Sequence, residues 1–245
     1  MIQSTFRAGV AMIELIFAIV IMGIVLMSAP LLISQAEKGA IVGVQQEAIS
    51  AAASNIGMIL TRHWDEQDTD ETRESPILST GSVVAALSEA TAVDGNLSGR
   101  RVGTPTLSYR SFLTSTGERL AATTPANFTT ENDFDDIDDY DGVTTTISLP
   151  NAGDATNTQT GDYTDTSLQM ATAVKYISDA PTAGAFNSSS ISFSNPGAAV
   201  AGTSNIKFVS TTITSAANAA TLGTNVTLSA FTCNIGTYKL EERTF

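Results

Sequence analysis

The densest group of chemically capable side chains is Asn132–Gly142 (NDFDDIDDYDG), which holds six aspartates within nine positions. Carboxylates this close repel one another. A hard cation would relieve that repulsion, and Ca²⁺ takes about six to eight oxygen ligands. Asp135, Asp136, Asp138, Asp139 and Asp141 are therefore candidate calcium ligands. An EF-hand loop is excluded, because alternating acids ahead of the glycine would require one where Ile137 stands. The competing reading is a solvated acidic turn without metal, or one countered by Arg100, Arg101 and Arg110. Phe134, Ile137 and Tyr140 recur every third residue, which predicts a short turn-like helix with its apolar side on the core. Paired carboxylates can also act as general acid and base. No catalytic histidine, nucleophile elbow or phosphate loop accompanies these, and no enzymatic activity is expected.

The remaining chemistry is sparse. His63 is the only histidine, which rules out a multi-histidine metal site; it reads as a helix-end residue. Trp64 beside it reads as a local core anchor. Cys233 is the only cysteine, so no intrachain disulfide can form, and a small buried residue on a late strand is expected. One acid stands apart from the rest. Glu14 lies inside Val10–Ile33 (VAMIELIFAIVIMGIVLMSAPLLI), a run in which it is the only charge. A carboxylate in an apolar span costs roughly 2.5–3.5 kcal/mol at the centre and less near the edge, so it calls for a partner.

The elements that position these residues divide the chain. The formal net charge is -13, which opposes binding to a phosphate backbone; no nucleic-acid partner is expected. A helix of about 24 residues spans roughly 36 Å, enough for a hydrocarbon core of about 30 Å, so Val10–Ile33 reads as a transmembrane helix. It is too long for the core of a secretory signal peptide, and its small residues Ala8 and Gly9 precede it rather than follow. From Ser34 the sequence becomes amphipathic. Ile41, Val44, Ala48, Ala52, Ile56 and Ile59 fall on one helical face, so the helix is expected to continue to about residue 62 with that stripe on a sheet. A short helix is expected at Ser82–Ala90. Strand-like runs follow at Val143–Leu149, Leu168–Ile177, Ile191–Phe193, Ile206–Thr214, Thr224–Leu228 and Thr237–Leu240, with Asn151–Thr166 as a long polar loop. The expected fold class is α+β: a long N-terminal helix covering one face of a C-terminal antiparallel sheet. The segments are a leader over 1–9, an apolar helix over 10–33, its amphipathic continuation over 34–62 and a β-rich globular part over 63–245.

Arg7-Ala8-Gly9 followed by Val10-Ala11-Met12-Ile13-Glu14-Leu15-Ile16 resembles the processing signal of type IV pilins and type II secretion pseudopilins. The resemblance covers about the first thirty residues. It implies cleavage after Gly9 by a prepilin peptidase, methylation of the new N-terminus at Val10, and control of subunit addition by Glu14. Val10 departs from the Phe or Met usual at that position. Gly23 and Pro30 resemble the helix-loosening positions of such helices. Trp64-Asp65-Glu66, the Asp-rich loop and the full-length helix together look similar to minor pilins of the mannose-sensitive haemagglutinin system. The implied partners are the peptidase, other pilin or pseudopilin subunits, an assembly platform protein and the bacterial inner membrane. The implied location is that membrane, with a periplasmic C-terminal domain, and then a pilus or pseudopilus. The alternative is a membrane-tethered domain that never polymerises and binds calcium or a surface ligand.

Overall fold

The computed structural model describes residues 7–69, 75–105, 108, 110–128, 133–149, 166–194, 196–215 and 222–236; for 7–11, 148–149 and 166 it describes the backbone alone. One helix, α1 (Arg7–Ile59), runs without a break through the apolar and amphipathic segments, with Pro30 inside it. It has two environments. From Met12 to Ile33 the large apolar side chains are exposed on every side, from Val20 at 52% to Met27 at 79%. Met12–Ile59 contains a stretch long and apolar enough to cross a membrane. Farther along, Ala48, Ala52, Ile56 and Ile59 are buried. Their spacing of three and four places them on one stripe, as the sequence requires.

The helix ends at Ile59, three residues short of the expected limit. Thr61 and Arg62 donate their backbone N–H groups to Met58 and Ile59 at 3.1 and 3.0 Å, a tightening to i→i+3 bonds. The Thr61 hydroxyl also donates to the Met58 carbonyl at 2.6 Å. These bonds satisfy carbonyls that the helix end leaves open.

The stripe lies on a four-stranded antiparallel sheet. Its strands, in spatial order, are β3 (Thr144–Leu149), β4 (Thr166–Tyr176), β5 (Ile206–Ser215) and β6 (Val226–Cys233). Consecutive strands pair in register, with Val174 opposite Val209 and Val209 opposite Ala230. Side-chain alternation sorts the faces. Leu168, Thr172, Val174 and Tyr176 of β4, and Lys207, Val209, Thr211 and Ile213 of β5, are buried on the helix side. Two core clusters result. One joins Ala48 and Ala52 to Leu168, Ile213 and Leu222. The other gathers Ile59, Trp64, Leu78, Phe128, Ile137, Tyr140, Val174, Tyr176 and Val209. Between helix and sheet, the Asn55 amide donates to the hydroxyls of Thr172 and Thr211 at 3.1 and 3.2 Å. A second, two-stranded sheet pairs β1 (Glu89–Thr91) with β2 (Leu97–Arg101).

Several expectations are corrected. Ser82–Ala90 forms only a 3-10 turn at Ala85–Leu87 and then enters β1, where Glu89 pairs with Arg119 at 2.9 Å. Ile191–Phe193 makes one isolated bridge, Ala183 to Ser192, in place of a strand. Cys233 is exposed, because it is the last residue of β6 and shares the outward phase with Thr227, Ser229 and Phe231. Thr237–Leu240 and the loop 151–165 lie outside the described residues.

Candidate functional site

Two places in the fold bring chemically capable groups together: the exposed N-terminal half of α1, and a buried cluster beneath the acidic turn.

In the helix, Gly9 and Val10 lie in the first turn of α1, and Glu14 follows on its exposed surface. Positions 10 and 14 are about one helical turn apart on the same face, roughly 6 Å along the axis. Among the described residues Glu14 has no hydrogen bond or ion pair. Among the described residues the carboxylate has only the apolar surface of its own helix beside it.

The buried cluster is built where the chain leaves α1. His63 and the acidic turn pair side by side: His63 N–H donates to the Asp135 carbonyl at 3.2 Å, and Ile137 N–H donates to the His63 carbonyl at 3.1 Å. This bond pair fixes Trp64 and Asp65 next to the turn. His63 itself is exposed, just beyond the helix end. Ile137 and Tyr140 are buried as their spacing predicts, around a 3-10 turn at Asp138–Tyr140, while Phe134 stays half exposed and stacks on Tyr140 at 5.2 Å. Gly142 closes the turn at a φ of 74°, a conformation that favours glycine, and its N–H donates to the Thr172 carbonyl at 3.0 Å.

Lys207 enters this cluster from β5 and is fully buried. Its ammonium donates to the Trp64 carbonyl at 2.6 Å, to Asp65 Oδ2 at 3.0 Å and to Asp138 Oδ1. The rings of Trp64, Tyr176 and Phe128 surround Nζ with centroids at 4.4, 5.4 and 5.5 Å. Three faces of aromatic carbon favour a cation electrostatically while excluding water.

The carboxylates divide their work. Asp65 accepts from Thr123 N–H at 2.9 Å, from the Thr123 hydroxyl at 2.9 Å and from the Tyr176 hydroxyl at 3.3 Å. Asp136 caps the 3-10 turn, accepting from the N–H groups of Asp138 and Asp139 at 2.8 and 3.1 Å. Asp139 accepts from the N–H groups of Asp135 and Asp136, both at 3.2 Å, and Asp141 from Val174 N–H at 2.8 Å. The structure thus brings Asp136, Asp138 and Asp139 together and turns them inward, while Asp141 faces β4. Among the described residues, no three His, Cys, Asp or Glu side chains are grouped so as to hold a metal ion.

The cation that answers the acidic turn is Lys207 and not the arginine cluster named from sequence. Arg101 instead donates to the Leu87 and Asn234 carbonyls and to Asn205 Oδ1 at 2.9, 3.0 and 2.7 Å. Arg100 holds the Pro105 and Ser108 carbonyls. Lys207 was missed in the sequence; the signal that could have found it is phase, since within IKFVSTTIT it shares the parity of Val209 and Ile213, the face that β5 buries.

A cavity of about 450 Å³ opens beside the cluster, lined by Thr123, Asn127, Phe128, Asp136, Asp138 and Asp139 among others. It reaches the carboxylates but not Lys207.

Burial sets the protonation of the cluster. Desolvation, and then the charge of Asp138, push the Asp136 carboxyl up to about 8, with Lys207 opposing. Desolvation raises Asp138 to about 6 against the pull of Lys207. Desolvation, then Asp65 and Asp138, drive the Tyr176 phenol far above its ordinary range, so it remains a neutral donor. Raised carboxyls bind protons more tightly in the folded chain than in the unfolded one. Their stabilising contribution is complete below the ordinary value of 3.8 and is lost as pH rises through about 6 for Asp138 and about 8 for Asp136. Thermal unfolding of the detergent-solubilised chain should therefore show stability falling from about pH 5 to about pH 8.5, by up to about 1.4 kcal/mol per pH unit for each proton. Asp136→Asn should flatten that slope; an unchanged slope would count against a raised Asp136 carboxyl.

No protein-family model, curated protein or solved structure matches this chain.

Proposed function

We propose that the chain is a type IV pilin-like subunit, a minor pilin or pseudopilin, that assembles through its N-terminal helix and carries no catalytic site. The observation that supports this reading best is the surface of α1. From Met12 to Ile33 apolar side chains are exposed all round the helix, a surface that water does not tolerate and that a bilayer or neighbouring helices would cover. Glu14 adds specificity. Processing after Gly9 would create an α-ammonium on Val10, one turn from Glu14. A carboxylate in a low-dielectric helix bundle pairs with such a cation, its own or a neighbour's, and the pair sets axial register.

In this reading a separate membrane peptidase removes residues 1–9. The helix first anchors the chain in the inner membrane, with the acidic domain in the periplasm. It then leaves the bilayer for a filament core, helped by an assembly platform protein. The net charge of -13 keeps the domain at the filament surface and away from nucleic acid.

The N-terminal mass tests the proposal. Protein recovered from a host with an active prepilin peptidase should begin at Val10 and carry an N-methyl group. Retention of Met1 in that host refutes the reading and supports the membrane-tethered, non-polymerising domain instead.

A further inference from the structure

Lys207, Asp138, Asp136 and Asp65 hold more than the charge balance of a core requires. An ammonium with 0% exposure touches a carboxylate that is 2% exposed, between three aromatic rings. Each is among the costliest groups to strip of water, and each can shed its charge by giving or taking one proton. A neutral amine in contact with a carboxylic acid is a nucleophile held against an electrophile, without bulk water to compete. Asp136 is buried beside Asp138, with its Oδ1 accepting from the Asp138 N–H at 2.8 Å. Asp65 lies 3.0 Å from Nζ on another side, fixed by Thr123 and Tyr176.

We propose that Lys207 and Asp138 condense within the folded chain into an intramolecular amide, with Asp65 and Asp136 positioned as proton carriers. The ammonium gives one proton to the Asp138 carboxylate. The amine lone pair then attacks Asp138 Cγ, forming the C–N bond. The tetrahedral centre loses a second proton from nitrogen to Asp65, and Asp136 protonates the departing hydroxyl as the C–O bond breaks. Asp65 then returns its proton to Asp136. Both hydrogens of the released water come from the ammonium and its oxygen from Asp138, so nothing is oxidised and no co-reactant is consumed. The cavity that touches Asp136 and Asp138 gives that water a way out. The product replaces a buried ion pair by a neutral amide, which removes the desolvation cost of both charges. It ties β5 to the acidic turn across 69 residues of sequence.

Intact mass and peptide mapping of the full chain, purified in detergent, test this directly. The N-terminal peptide reports processing independently, so failure of the subunit reading and failure of this one are distinguishable. The expected wild-type mass is one water below that of the sequence from the observed N-terminus, with a cross-linked peptide pair joining Lys207 to Asp138. Lys207→Arg, which keeps the charge but not the nucleophile, should show the full mass, and Asp136→Asn should accumulate unlinked chain. A wild-type chain of full mass overturns the proposal. So does a water loss that maps to Asp94–Gly95 or Asp141–Gly142, where an aspartyl residue can cyclise onto its own backbone, or a cross-link from Lys207 to Asp65. An Asp136→Asn chain linked as completely as the wild type overturns the role given to Asp136.

Discussion

Replacing Lys207 with Ala is expected to destabilise the globular domain by about 3–5 kcal/mol relative to the unlinked chain, the range found when one partner of a buried ion pair is removed, and by more relative to a chain carrying the Lys207–Asp138 amide. The Lys207 side chain is buried completely, as is that of Asp65, and Asp138 is nearly so. Without the ammonium, two carboxylates face each other in an aromatic pocket, and the Trp64 carbonyl loses its donor. The lysine stem also fills space between Trp64, Phe128 and Tyr176, so truncation leaves a cavity as well. Two further variants separate these causes. Lys207→Met restores much of the volume and should recover only the packing share. Combining Lys207→Met with Asp65→Asn and Asp138→Asn removes the stranded charges and should recover most of the remainder. Chemical denaturation of the detergent-solubilised chain, followed by circular dichroism, gives each value. Acidification to about pH 5 should partly rescue Lys207→Ala, because the Asp138 carboxyl, which burial raises to about 6, can neutralise itself by binding a proton. A Lys207→Ala chain as stable as the wild type at pH 7 would mean that the cluster is open to water.

On the proposed pilin-like reading, replacing Glu14 with Ala is expected to leave processing intact and to abolish incorporation into filaments. The substitution removes an acidic group from an apolar span, so membrane insertion becomes easier by roughly 2.5 kcal/mol or less. Precursor levels in the membrane should hold or rise. Docking should fail for the opposite reason. If Glu14 pairs with a Val10 ammonium inside a helix bundle, its removal strands that cation at a cost of about 3–5 kcal/mol. A loss of that size lowers association by more than about a hundredfold. Shearing and sedimentation of surface or periplasmic filaments, with immunoblotting for the variant, measures the incorporated fraction. Normal filaments that contain Glu14→Ala at wild-type level would remove the docking role from this residue. Glu14→Gln should behave like the alanine variant, since it retains size and polarity but not charge.

The parts of the fold written in local periodicity were legible in advance. The stripe from Ile41 to Ile59 announced a helix lying on a sheet, and the β-branched runs at 143–149, 168–177 and 206–214 match β3, β4 and β5 closely. The hairpin of β1 and β2 was not legible, because Glu89-Ala90-Thr91 has no strand-like composition and is held by Glu89 reaching Arg119 and the Gly99 backbone. The cluster was half legible. Six aspartates in a row of nine draw attention, but what they face depends on pairing between segments far apart in sequence. Lys207 meets Asp65 across 142 residues and Asp138 across 69. Strand phase was the one available signal for a buried lysine and was not read; only the folded chain placed it between those two acids.

The continuity of α1 has a mechanical consequence. Its 53 residues, at about 1.5 Å each, make about 80 Å of continuous helix. A pull on the apolar end runs along the axis and reaches the domain as shear across Ala48, Ala52, Ile56 and Ile59. Contacts loaded in shear share the force and must slip together, whereas contacts that are peeled yield one after another. The domain is therefore hung from the helix so that traction loads this stripe in shear rather than in peeling.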